Sequence, residues 1–91
     1  MKIYKHKFGF NYRGLFTDSK MIGGFEGGAI YRAIKDNTHY LIIDEGTLAD
    51  FLDQDDQDLL DQLVKIIEFE NEDELNKYLE ERSGRFRKIS I

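Results

Sequence analysis

Ala29-Ile-Tyr-Arg-Ala-Ile-Lys35, Asp36-Asn37 and Thr38-His-Tyr-Leu-Ile-Ile-Asp44 form the stretch that decides the fold. Two apolar-rich runs flank a two-residue turn. Asp and Asn both tolerate positive φ, as a tight hairpin turn requires. The turn sets the register. Ile34 falls opposite His39, Arg32 opposite Leu41 and Ile30 opposite Ile43 on one face; Ala33 meets Tyr40 and Tyr31 meets Ile42 on the other. A slip of one residue would exchange the faces. Both faces are apolar, so the hairpin belongs at the centre of a sheet rather than at its edge.

Upstream, Lys2–Arg13 alternates. Tyr4, His6, Phe8, Phe10 and Tyr12 share one side, and Ile3, Lys5, Lys7, Gly9, Asn11 and Arg13 the other. A period of two predicts a half-buried strand over 2–12, with a bulge or bend at Gly9. An aromatic platform for single-stranded nucleic acid would need its bases beside the rings, whereas here they lie on the opposite side. Gly14–Gly28 reads as a long flexible connection or a glycine-kinked hairpin. It is not a phosphate loop, because no Gly-Lys-Ser/Thr follows and it leads into a strand pattern. Its Gly-Gly-Phe-Glu-Gly-Gly segment, residues 23–28, places Phe25 on a pliable backbone that suits insertion into a partner's pocket.

Downstream lies the acidic part of the chain. Asp44–Glu81 holds 15 of the 18 acids against two bases, Lys65 and Lys77, for a net −13. Residues 1–43 and 82–91 each carry +4. Thr47, with Asp50 three residues on, predicts the cap of a short helix over 48–53. Asp55 or Asp56 caps another over 56–63. Val64–Phe69 fits helical spacing or a buried strand; its β-branched residues, and a fresh capping box at Asn71-Glu72-Asp73-Glu74, favour strand. That box starts a helix over 72–82 with Leu75, Tyr78 and Leu79 inward and Gly84 as its C′ residue. Asp73–Lys77 and Lys77–Glu81 are i,i+4 pairs. Arg85–Ser90 reads as a basic strand, parallel to 64–69 through a crossover. Leu48, Phe51, Leu59, Leu63, Ile66, Leu75 and Leu79 are expected to supply half the core. The fold class is α+β: a single domain over 1–91, with a mixed sheet of about five strands (2–12, 29–35, 38–44, 64–69, 85–90) and helices mainly on one face.

Composition narrows the function. The chain has 91 residues, 41% of them hydrophobic, with seven Phe and five Tyr, a folded composition with a modest core. Without Cys there is no disulfide, thiolate metal site or cysteine nucleophile. The longest apolar run, Tyr40–Ile43, is far short of a membrane span, and no apolar segment follows the basic N-terminus, so a cytoplasmic location is expected. His6 and His39 lie in separate strands, and Ser19, Ser83 and Ser90 sit in no activating motif, so no enzyme is expected. Asp53-Gln-Asp55-Asp56-Gln-Asp58 resembles the opening of a calcium loop, but Asp58 stands where Gly belongs and Val64 where Glu belongs. No metal or other cofactor is expected. A DNA-reading helix over 56–63 is excluded by Asp58 and Asp61, which phosphates would repel.

In bulk properties alone, small, acidic, cysteine-free and without a catalytic constellation, the chain resembles the loose class of bacterial or phage inhibitor, immunity and nucleic-acid-mimic proteins. That resemblance implies a protein-binding module without catalysis. Its acidic helical surface would dock on a basic, nucleic-acid-handling partner. Several acids have local work as caps or pairs. The acids left for a partner are Asp53, Asp58, Asp61, Glu72 and Glu80, with Phe25 as an aromatic contact. One alternative is an RNA or single-stranded DNA binder using Lys5, Lys7, Arg13, Arg85, Arg87 and Lys88, provided the first and last strands are neighbours. Another is an oligomerising structural subunit that pairs through the edge of its last strand.

Overall fold

The central hairpin forms as its turn dictates. Asp36 and Asn37 adopt φ of 51° and 65°. Ile30 pairs with Ile43, Arg32 with Leu41 and Ile34 with His39. A computed structural model describes residues 1–25, 28–82 and 87–88, with backbone alone at Phe25, Gln54, Arg87 and Lys88. The described strands are β1 (Lys2–His6), β2 (Ser19–Phe25), β3 (Gly28–Lys35), β4 (Thr38–Asp44), β5 (Val64–Phe69) and β6 (Arg87–Lys88). They form one sheet in the order β1-β5-β4-β3-β2-β6, and every neighbouring pair is antiparallel.

β4 and β5 each contribute buried side chains to both faces of the sheet. On one face Ile30, Leu41, Ile43, Ile67 and Phe69 pack beneath α3 (Glu72–Glu81), which contributes Leu75, Tyr78 and Leu79. On the other, Ala33, Ile42, Val64 and Ile66 are covered by Tyr12 and Phe16 from α1 (Tyr12–Leu15) and its C-cap, flanked by Phe10, Tyr31 and Tyr40. α3 begins where the capping signal put it. The Glu74 amide donates to the Asn71 side chain at 2.9 Å, and three acids sit in the positive first turn. The Glu74 carboxylate pairs with the N-terminal amine, 3.2 Å away. The helix ends at Arg82, whose guanidinium lies 3.7 Å from the Tyr78 ring centre.

Several expectations are corrected. The first strand stops at His6, not residue 12. Gly9 takes φ of +85°, which reverses the chain, and Asn11 then caps α1 by accepting from the Gly14 amide at 3.1 Å. The aromatic alternation continues past the strand, but its later rings belong to a turn and a helix folded over the sheet. Helices therefore lie on both faces, not mainly on one. Of the two readings of the glycine-rich stretch the hairpin is the one observed: it contains β2, paired antiparallel with β3 and bulged between Met21 and Gly23. Central β3 needs a hydrogen-bonding partner, and that tertiary demand overrides the low strand propensity of glycine. The sheet is antiparallel rather than mixed: β6 joins β2 at the far edge, with three strands between it and β5. The rest of the strand expected over 85–90, and Gly84, lie outside the described residues. Lys77 forms neither expected ion pair among the described residues; Glu81 instead lies 3.7 Å from Arg82.

Gly28 marks a tight point. A Cβ there would stand 1.8 Å from the Asp44 carbonyl oxygen, a backbone atom that no rotamer change can move. Gly28→Ala is expected to cost about 1–3 kcal/mol and to open this end of β3–β4. Urea unfolding and amide exchange at residues 29 and 44 would show it.

Candidate functional site

His6, Val64, Asp44 and Ala29 stand side by side across the sheet at one end. The chain leaves β4 there and returns as β5. Between them it forms two 3₁₀ helices, Gly46–Phe51 and Gln54–Asp56, then α2 (Gln57–Leu60). The first is as long as the helix expected over 48–53 but is 3₁₀ and starts two residues earlier, and α2 is half the length expected over 56–63; the chemistry of Asp53 explains the break between them. Its side chain accepts from the Asp55 amide at 2.9 Å, while its own amide donates to the Asp56 carboxylate at 3.1 Å. This capping box starts the second 3₁₀ helix. Thr47 makes no cap among the described residues; the first 3₁₀ helix starts after Glu45 without a side-chain cap. The segment is tied down by the Glu45 amide on the Leu63 carbonyl at 2.8 Å and the Phe8 amide on the Leu60 carbonyl at 2.9 Å.

Tying the segment across the sheet end keeps most of its apolar side chains out of the core. Leu63 is buried, but Phe51 is 81% exposed and Leu59 55%, and Leu48 is also exposed. This corrects the expectation that all of them are core residues. Phe8, 54% exposed, adjoins them through its bond to Leu60. Gly46–Gln62 contains six Asp and no base. None of these carboxylates is in an ion pair among the described residues. Elsewhere several acids are matched, such as Glu45 with Lys65 at 2.9 Å and Glu72 with Arg32 at 2.8 Å.

Asp53, Asp58 and Asp61 therefore share one segment. Asp53 is partly engaged as a cap, and Asp61 accepts from Gln57 at 2.9 Å. Glu72 and Glu80 do not join them. Both lie on α3, which packs on β4 and β5, whereas α2 packs on the 3₁₀ helix before it. Glu72 is already held by Arg32. Phe25 ends β2 opposite Gly28. β1 and β6 occupy opposite edges, so the adjacency needed by a basic-strand nucleic-acid binder is not met.

One group escaped the sequence reading. The Tyr12 hydroxyl donates to Asp44 Oδ2 at 2.6 Å, and the Gly46 amide donates to Oδ1 at 2.8 Å. The Gly46 bond is an Asx-type turn that Asp44-Glu-Gly could have signalled. The tyrosine is distant in sequence and had no signal. A cleft of about 680 Å³ opens over this pair, walled by Phe8, Phe10, Arg13 and Thr47. Arg13 Nη2 donates to the Tyr31 hydroxyl at 3.3 Å.

Burial, then the Asp44 carboxylate and Tyr31, hold the Tyr12 hydroxyl well above its ordinary pKa of 10. Because the folded state keeps this proton longer than the unfolded chain does, the contribution is complete below about pH 10 and falls as pH rises beyond it. Titration followed by phenolate absorbance is expected to show a lagging component that Tyr12→Phe removes. Burial and Glu68 raise Tyr40 as well, so part of the lag persists in the variant.

Among the described residues, no group of three His, Cys, Asp or Glu could hold a metal ion. No described helix is long and apolar enough to cross a membrane. Searches of protein-family models, curated proteins and solved structures each return no match to this chain.

Proposed function

We propose that the chain is a protein-binding module without catalytic activity. Its acidic sheet end docks on a basic surface of a nucleic-acid-handling partner, in the manner of an inhibitor or immunity protein. The observation that carries this reading is the coincidence of unpaired carboxylates and exposed apolar side chains in Gly46–Gln62. A solvated acidic face needs no exposed Phe51 or Leu59. A docking surface uses both: apolar groups as anchors and charges for steering and register. Asp53, Asp58 and Asp61 are the acids of this surface. Glu72 and Glu80, on α3, have no place in it, whereas Phe25 ends β2 at the same end of the sheet.

The mimicry component is tested by competition. The immobilised protein would capture partners from its native source at low salt. Double-stranded nucleic acid would then be added before any salt step. Release of a basic protein by nucleic acid, and its loss as salt rises, are the expected results. A partner that survives both treatments overturns the reading. Phe51→Ala is the control for the apolar anchor: it is expected to weaken capture while leaving the unfolding midpoint unchanged, because this ring is exposed.

A further inference from the structure

The cleft at the sheet end contains a carboxylate with an unusual set of partners. Asp44 is half-buried and conformationally fixed, yet both its internal donors are neutral: the Tyr12 hydroxyl on Oδ2 and the Gly46 amide on Oδ1. No cation lies within ion-pair distance of it among the described residues. Of the other half-buried carboxylates, Glu45, Glu68 and Glu74 each have a cationic partner, and Asp56 is used in the capping box with Asp53. A carboxylate offers about four lone-pair positions. One bond to each oxygen leaves one free position on each, the arrangement a guanidinium fork matches.

The walls agree with this. Phe8 and Phe10 flank the opening, and a guanidinium is the cation best suited to lie against an aromatic face. Gly46 leaves room there. A Cβ at that position would stand 2.8 Å from Asp44 Oδ1 and 3.3 Å from the Phe8 ring. One element opposes a cation, namely Arg13 at the lip, which is turned to the Tyr31 hydroxyl. Its effect on affinity makes the site's charge preference testable.

We propose that this cleft receives an arginine side chain of the docked partner, with Asp44 taking the guanidinium through both oxygens and Phe8 stacking on it. The partner's identity as a basic protein rests on the reading above; the guanidinium preference rests on Asp44 and the two rings. The cleft adjoins the docking segment through Gly46 and Thr47, so a single basic surface can meet both.

The test uses N-acetyl-arginine-N′-methylamide, added to the ¹⁵N-labelled protein at low salt. Saturable shifts at the amides of Gly46, Thr47 and Gly9 are expected, with much weaker binding of the lysine counterpart. Asp44→Asn should weaken binding by about tenfold or more. Phe8→Ala should weaken it by about two- to fivefold. The exposed Phe8 ring has little part in the core, so this variant stays informative if Asp44→Asn is unstable. Arg13→Gln should tighten binding. Absence of saturable shifts, equal binding of the lysine amide, or weaker binding by Arg13→Gln would each overturn the assignment. The docking reading fails separately, if the Asp58→Lys/Asp61→Lys variant keeps its affinity for the captured partner while the amide still binds.

Discussion

Phe69→Ala is expected to destabilise the protein by about 3–5 kcal/mol, seen as a lower urea midpoint with an unchanged slope. Phe69 is 1% exposed and lies at the end of β5, beneath α3. Its ring meets Tyr78 edge-on, with centroids 5.5 Å apart. Removing it empties a space bounded by strand backbone on one side and helix on the other. Neither can collapse into the gap without breaking the sheet register or the Asn71 cap. Domains of this size have a total stability of about 5–15 kcal/mol, so one substitution takes a large share. Each 1 kcal/mol lowers the melting temperature by about 4–8 °C. Leu75→Ala, from the helix side of the same contact, is expected to cost about 2–5 kcal/mol. The double variant should lose less than the sum, because the two side chains share one cavity. Near-neutral behaviour of Phe69→Ala would mean that α3 does not seal this face.

The largest expected effect on binding is that of charge reversal in the acidic segment. Asp58→Lys/Asp61→Lys removes two negative charges and adds two positive ones where no base compensates them. Steering by a charged surface raises association rates by about 10–10³-fold at low ionic strength. The variant is therefore expected to bind its basic partner with an on-rate at least about tenfold lower, with a smaller change in off-rate. The deficit should shrink as salt rises, because the Debye length falls to about 8 Å at physiological ionic strength. Phe51→Ala should also weaken binding, but mainly through the off-rate, since a ring engages only after encounter. Stopped-flow association at several salt concentrations separates the two. An on-rate indifferent to both charge reversal and salt would exclude electrostatic docking.

Much of the fold was legible because local chemistry specified it. Asp36-Asn37 imposed the hairpin register, and Asn71 imposed the start of α3. β5 was legible as a strand because Val64, Ile66 and Ile67 are β-branched and the run stands just before that cap. Non-local demands hid the rest. β2 exists because β3 needs a partner, and no propensity of Gly23 or Gly24 announces it. The alternation of Tyr4 to Tyr12 describes a strand equally well whether or not Gly9 reverses the chain midway. Phe51 and Leu59 look like core residues in a helical reading. They are exposed because Asp53 interrupts the helix and the segment is tied across the sheet end.

The candidate site divides in the same way. That Asp53, Asp58 and Asp61 of the proposed surface have no neighbouring base is legible in the sequence. The importance of Asp44 is not, because it depends on Tyr12, which reaches Asp44 only after α1 folds over the sheet.

By itself, the sequence determined an α+β chain with a central hairpin, a capped helix after β5 and an acidic segment unrelieved by bases. Those features depend on φ preferences, caps and charges a few residues apart. The tertiary structure alone decided the strand order, the placement of the basic strands on opposite edges and the matching of Glu72 with Arg32. It also decided which apolar residues of the acidic segment stay outside the core. These outcomes depend on contacts between distant parts of the chain, whose loop-closure entropy is offset only when the whole sheet forms.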